Sequence, residues 1–81
     1  MTDASTAADD RDLLRRAAAA HTAAAQDVEA FLRRLPEVPG PAEFTEYANL
    51  ITREEQMRAD REAAADAAGL TIASLESDQG T

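Results

Sequence analysis

Leu35-Pro36-Glu37-Val38-Pro39-Gly40-Pro41 holds all three prolines of the chain and one of its three glycines. Proline has no amide hydrogen, and its ring collides with the preceding helical turn, so no helix runs through this segment. On both sides lie long proline-free stretches rich in alanine, arginine and acid. The segment therefore predicts an all-α antiparallel two-helix hairpin. Its helices span about residues 9–35 and 41–68, joined by a stiff turn over about 36–40.

Working back from the turn, the first helix carries a heptad pattern. Leu14, His21, Val28 and Leu35 recur seven apart, and Ala17, Ala24 and Phe31 sit three residues beyond them. Ala18, Ala25 and Leu32 widen the same stripe, while Arg15, Arg16, Thr22, Gln26, Glu29 and Arg33 fall on the other side. A repeat held this long argues for coiled-coil-like packing, and alanine at inner positions permits close approach. Asp9, Asp10 and Asp12 suit the first turn of such a helix, where acids complement the dipole. Residues 1–8 are then expected to form a flexible N-terminal tail.

Working forward, Gly40 is placed to cap the second helix, with Pro41 in its first position and Glu43 in its first turn. Phe44, Tyr47, Ala48, Leu50 and Ile51 make a dense apolar face, expected to pack on Leu14, Val28, Phe31 and Leu32. The Leu50 stripe continues through Met57 and Ala64, and the Tyr47 stripe through Glu54, Arg61 and Ala68. Gly69 is a suitable helix stop. Folding back near residue 38 sets residue i beside roughly residue 77 − i. Phe31 and Leu32 then face Phe44 and Tyr47, His21 faces the Glu54–Arg58 region, and Arg15 and Arg16 approach Asp60–Glu62.

Composition limits what such a hairpin gains from its core. Of 81 residues, 20 are alanine, against seven leucines, two each of isoleucine, valine, phenylalanine and methionine, and one tyrosine. Alanine buries little area, and cysteine is absent, so neither disulfides nor thiolate metal sites supplement the core. Self-association is the expected remedy, two hairpins pairing into a dimeric four-helix bundle through Leu14, His21, Val28, Phe31, Leu32, Phe44, Tyr47, Leu50, Ile51 and Met57.

The net charge is −8, and every basic residue is arginine. Such a chain repels phosphate, so nucleic-acid partners are disfavoured and protein partners are expected. The acidic N-terminus lacks the basic and apolar regions of a signal peptide, no apolar run approaches the length of a membrane span, and a cytoplasmic location is expected.

His21 is the only histidine and sits on the apolar stripe. A histidine beside a carboxylate serves as base, metal ligand or pH switch, but a polar residue at an inner coiled-coil position more often fixes register. Protonation of His21 inside a bundle would weaken association near about pH 5–6 unless Glu54 compensated. No Glu-x-x-His pair, nucleophile motif or glycine-rich phosphate loop is present, so neither metal nor cofactor is expected, and the chain reads as a non-catalytic regulator, adaptor or assembly factor.

The C-terminal tail, residues 70–81, changes character. Leu70, Ile72 and Leu75 stand past the helix stop, expected either to fold back on the open end near Leu13 and Leu14 or to bind a partner. Leu70-Thr71-Ile72-Ala73-Ser74-Leu75 resembles the C-terminal cargo-loading peptides of encapsulin shells, with Ala73 where glycine is usual and Glu76 where a basic residue is common. The resemblance implies a cargo or accessory subunit docked through residues 70–75. Arg61 to Glu76 also resembles the core of a helix-turn-helix, through Ala65, Gly69-Leu70 and Leu75, which implies a DNA-associated regulator. The would-be recognition helix, however, holds neither arginine nor lysine.

Overall fold

The computed structural model describes the backbone of residues 2–70 and the side chains of residues 7–70. Two helices, α1 (Thr2–Arg33) and α2 (Pro41–Ala67), lie against each other as a hairpin. The all-α hairpin expected from the proline-rich segment is the observed fold.

Helix α1 begins at Thr2, ahead of the expected start near Asp9, so residues 2–8 carry helical backbone. Residues 2–8 contain neither proline nor glycine, and Ala4, Ala7 and Ala8 are good helix formers, so the helix continues upstream of Asp9. It ends at Arg33, short of Leu35. Leu35 precedes a proline and is pushed out of the helical region. The last amides tighten onto carbonyls three residues back, Arg34 N to Phe31 O at 3.2 Å and Leu35 N to Leu32 O at 3.4 Å.

Helix α2 starts as its sequence requires. Gly40 is the N-cap and Pro41 the first helical residue. The Glu43 carboxylate accepts the Gly40 N–H at 2.6 Å, half of a capping box that glycine has no side chain to complete. Its end is a Schellman motif: Gly69 N–H reaches Asp66 O at 3.0 Å and Leu70 N–H reaches Ala65 O at 2.7 Å. Gly69 takes φ 81°, the left-handed conformation the motif needs.

The seam between the helices follows the heptads. On α1 the inner residues are Asp10, Leu14, Ala17, His21, Ala24, Val28 and Phe31, spaced alternately four and three apart. On α2 the partly covered Glu43, Leu50, Glu54, Met57, Arg61, Ala64 and Ala68 complete the same alternation around Tyr47. Among the described residues only Ala24 and Phe31 are buried, at 1% and 2% exposure. The Phe31 and Tyr47 rings stack at 5.9 Å between centroids.

The wider apolar face expected to pack inside the hairpin does not. Leu32, Phe44 and Tyr47 are exposed at 49%, 65% and 40%. Adjacent helical residues point about 100° apart, so a single partner helix covers Phe31 or Leu32 but not both. Phe44 lies beside the Glu43–Tyr47 seam rather than on it. Leu14, Val28, Leu50, Ile51 and Met57 are half-buried. Arg15 and Arg16 pair with Asp12 of their own helix, at 3.3 and 4.0 Å, rather than with Asp60–Glu62.

One ring thus carries most of the core, and its burial contributes about 2–3 kcal/mol. Phe31→Ala is expected to cost about 3–5 kcal/mol, enough to unfold a hairpin of this size near room temperature. Phe44→Ala is expected to cost less than about 1 kcal/mol, because the ring is already in solvent. Thermal unfolding of dilute, monomeric protein followed by far-ultraviolet circular dichroism distinguishes the two, since self-association adds to apparent stability. Equal losses would mean that Phe44 belongs to the core.

Candidate functional site

The turn end of the hairpin is its most apolar surface. Because α1 stops at Arg33, Leu35 and Pro39 swing over the end of the seam. There, with Phe31, Leu32, Glu43, Phe44 and Tyr47, they line a groove of about 150 Å³. Phe31 forms the buried floor, and Leu32, Leu35, Phe44 and Tyr47 are its exposed walls. The Glu43 carboxylate is occupied by the Gly40 amide. Val38, at the tip of the same turn, is 85% exposed. Arg34 lies over the Phe31 ring at 5.3 Å and pairs with Glu46 at 2.9 Å.

A second constellation lies halfway along the seam. His21 Nε2 stands 2.7 Å from Glu54 Oε2, and both side chains are 14% exposed. A carboxylate only accepts, so Nε2 carries the hydrogen. Arg58, one turn on, donates to Glu54 Oε1 at 2.7 Å and Oε2 at 3.0 Å. The hydrogen bond from His21, and then that from Arg58, hold the Glu54 carboxyl below the ordinary glutamate range, against the opposing effect of burial. Glu54 in turn raises Arg58 above the ordinary arginine value. His21, Thr22, Ala25, Gln26, Glu29 and Arg61 line a shallow cleft beside the pair.

The geometry makes this pair a register device. Displacing the helices by one heptad would set His21 against Tyr47 or Arg61, and Glu54 against Leu14 or Val28. Either slip takes from the Glu54 carboxylate its bond from His21 and sets it against an apolar residue, with only Arg58 of its own helix left as a partner. Two outer ion pairs agree with the same register, Arg53–Asp27 at 3.2 Å and Arg34–Glu46 at 2.9 Å. Among the described residues no buried side-chain nitrogen or oxygen lacks a partner, and no group of His, Cys, Asp and Glu is arranged to hold a metal.

Of the expected contact residues, Phe31, Leu32, Phe44 and Tyr47 come together in the groove, while Leu14, His21, Val28, Leu50 and Met57 lie along the seam and Ile51 beside it. Pro39 and Leu35 as groove walls were not expected. Their signal was the early helix stop that Pro36 imposes on Leu35. Leu70 is 61% exposed rather than packed on the open end. Ile72 and Leu75, and so most of the encapsulin-like peptide and of the would-be recognition helix, lie outside the described residues. No helix is long and apolar enough to cross a membrane among those residues. No family model, curated protein or solved structure matches the chain.

The Glu54 contacts carry a pH dependence of definite sign. A carboxyl whose folded pKa is lowered stabilises the fold above its unfolded value, about pH 4, and that contribution is lost as pH falls through the lower folded value. Glu54→Gln removes it. The difference in melting temperature between wild type and E54Q is expected to shrink as pH falls below about 4, where the Glu54 carboxylate takes up its proton. A difference that persists undiminished from about pH 5 to about pH 2 would contradict the assignment.

Proposed function

We propose that this chain is a small, acidic, non-catalytic protein–protein interaction module that works through the apolar turn end of its hairpin, with a second copy of itself as a partner. The observation that supports this reading is the exposure of Leu32, Leu35, Phe44, Tyr47 and Val38 together at one end of an otherwise polar, alanine-rich rod. Their exposed area is on the order of 400–500 Å², the size at which an apolar patch marks a contact site. Covering this patch on each of two copies would bury on the order of 1,000 Å², the lower bound of a specific interface. The His21–Glu54–Arg58 cluster lies along the seam away from this patch, and its place there is accounted for by register, so the reading does not call on it.

A second reading treats the chain as a cargo or accessory subunit docked through residues 70–75. The exposure of Leu70 beyond the Schellman stop favours presentation of that segment over packing on the hairpin.

Leu32→Ser with Phe44→Ser tests the first reading. Wild type is expected to sediment as a dimer at tens of micromolar, and the double variant as a monomer of unchanged helicity. Each copy carries −8, so added salt is expected to tighten self-association by screening repulsion. A double variant that still dimerises would exclude the turn end as the contact.

A further inference from the structure

The chain holds an open apolar groove at one end and an uncharged apolar segment at the other. The groove is walled by Leu32, Leu35, Pro39, Phe44 and Tyr47 over the Phe31 floor. The segment is Leu70-Thr71-Ile72-Ala73-Ser74-Leu75. Resting on the reading above, we propose that the groove is filled by residues 70–75 of a second copy, and that the exchange is reciprocal.

The lengths decide that the occupant comes from another molecule. Along α2 from Phe44 to Leu70 the chain rises about 1.5 Å per residue, a separation of about 39 Å. From Leu70 to Leu75 a fully extended chain spans at most about 17 Å. Ile72 and Leu75 therefore cannot reach the groove of their own hairpin. A second hairpin laid antiparallel beside the first can deliver them. A two-fold axis at the level of Met57, midway between Phe44 and Leu70, sets each tail beside the other copy's groove at once. Both contacts then form in one closed dimer, with no open end to propagate.

The chemistry of the two parts agrees. Residues 70–75 carry no charge, so they enter the groove without adding to the repulsion between two copies of charge −8. Glu43, the acid in the groove lining, is engaged by the Gly40 amide. Leu70 and Ile72 fall on one face of an extended segment, so that face presents two large side chains to a groove of about 150 Å³, with Leu75 on the opposite face. The Schellman motif at Gly69 breaks the helical path just before the segment.

Complementation between two full-length variants tests the exchange. Ile72→Ser with Leu75→Ser spoils the tail and keeps the groove, and both positions lie beyond the Schellman stop. Phe44→Ser spoils the groove and keeps the tail. Circular dichroism verifies that each is helical, and Leu32→Ser replaces Phe44→Ser if the latter unfolds. Each variant alone is expected to sediment as a monomer where wild type is a dimer. An equimolar mixture is expected to form a heterodimer, weaker than wild type because one of its two groove–tail contacts is intact. A tail variant that remains dimeric overturns the exchange while leaving self-association through the turn end standing. Two monomeric variants whose mixture stays monomeric overturn it as well. Monomeric wild type at tens of micromolar overturns both the exchange and the self-association on which it rests.

Discussion

Phe31 fills the angle between the two helices at the turn, 2% exposed and stacked on Tyr47 with centroids 5.9 Å apart. The remaining seam on α1 holds Asp10, His21, the small Ala17 and Ala24, and only Leu14 and Val28 as larger apolar residues, both half-buried. The ring must therefore be close to the turn, where the loop it closes is short and the entropic cost of closure is small. Placed there, it aligns α1 and α2 so that the thinner alanine seam zips toward the open end.

With so little apolar matter to fix alignment, polar groups take over that task. His21 and Glu54 occupy inner positions that a larger protein would give to leucine, and Arg58 completes the hydrogen bonding of the carboxylate. Their effect is selectivity more than strength. The observed register pairs them, and a one-heptad slip sets the Glu54 carboxylate against an apolar residue. The same economy of apolar residues explains why the turn end is exposed. One helix can cover only one line of a partner, and the chain devotes that line to Phe31, leaving Leu32 and Phe44 outside.

Much of the fold was legible in the residues. The prolines at 36, 39 and 41 fixed two helices and their turn, and the spacing of Leu14, His21, Val28 and Phe31 against Leu50, Met57 and Ala64 predicted the seam. The proximity of His21 to Glu54 followed from folding back at the turn. The early start of α1 was less legible, because the acids at Asp9, Asp10 and Asp12, which suit a first turn, compete with alanines that favour helix further upstream. The groove was half legible. Its apolar residues were visible, but a hydrophobic stripe does not state its own width, so the residues just off the seam read as core. Only the angular placement of Phe31 against Leu32 and of Glu43 against Phe44 separates an inner face from an outer one. For the function, the composition argued against phosphate-bearing partners such as nucleic acid, while the choice of protein partner depends on surfaces that periodicity alone does not resolve.

The central claim is that the hairpin is anchored by Phe31 on Tyr47 in a register held by His21 and Glu54, which leaves Leu32 and Phe44 free on the outside. Two-dimensional nuclear Overhauser spectroscopy on the full chain tests it most directly. The ring protons of Phe31 are expected to show cross-peaks to those of Tyr47, and the His21 imidazole to the Glu54 and Arg58 side chains. In a mixture of isotopically labelled and unlabelled protein, these peaks are expected to arise within one copy. Cross-peaks from His21 to Tyr47 in place of Glu54, or no contact between Phe31 and Tyr47, would contradict the account.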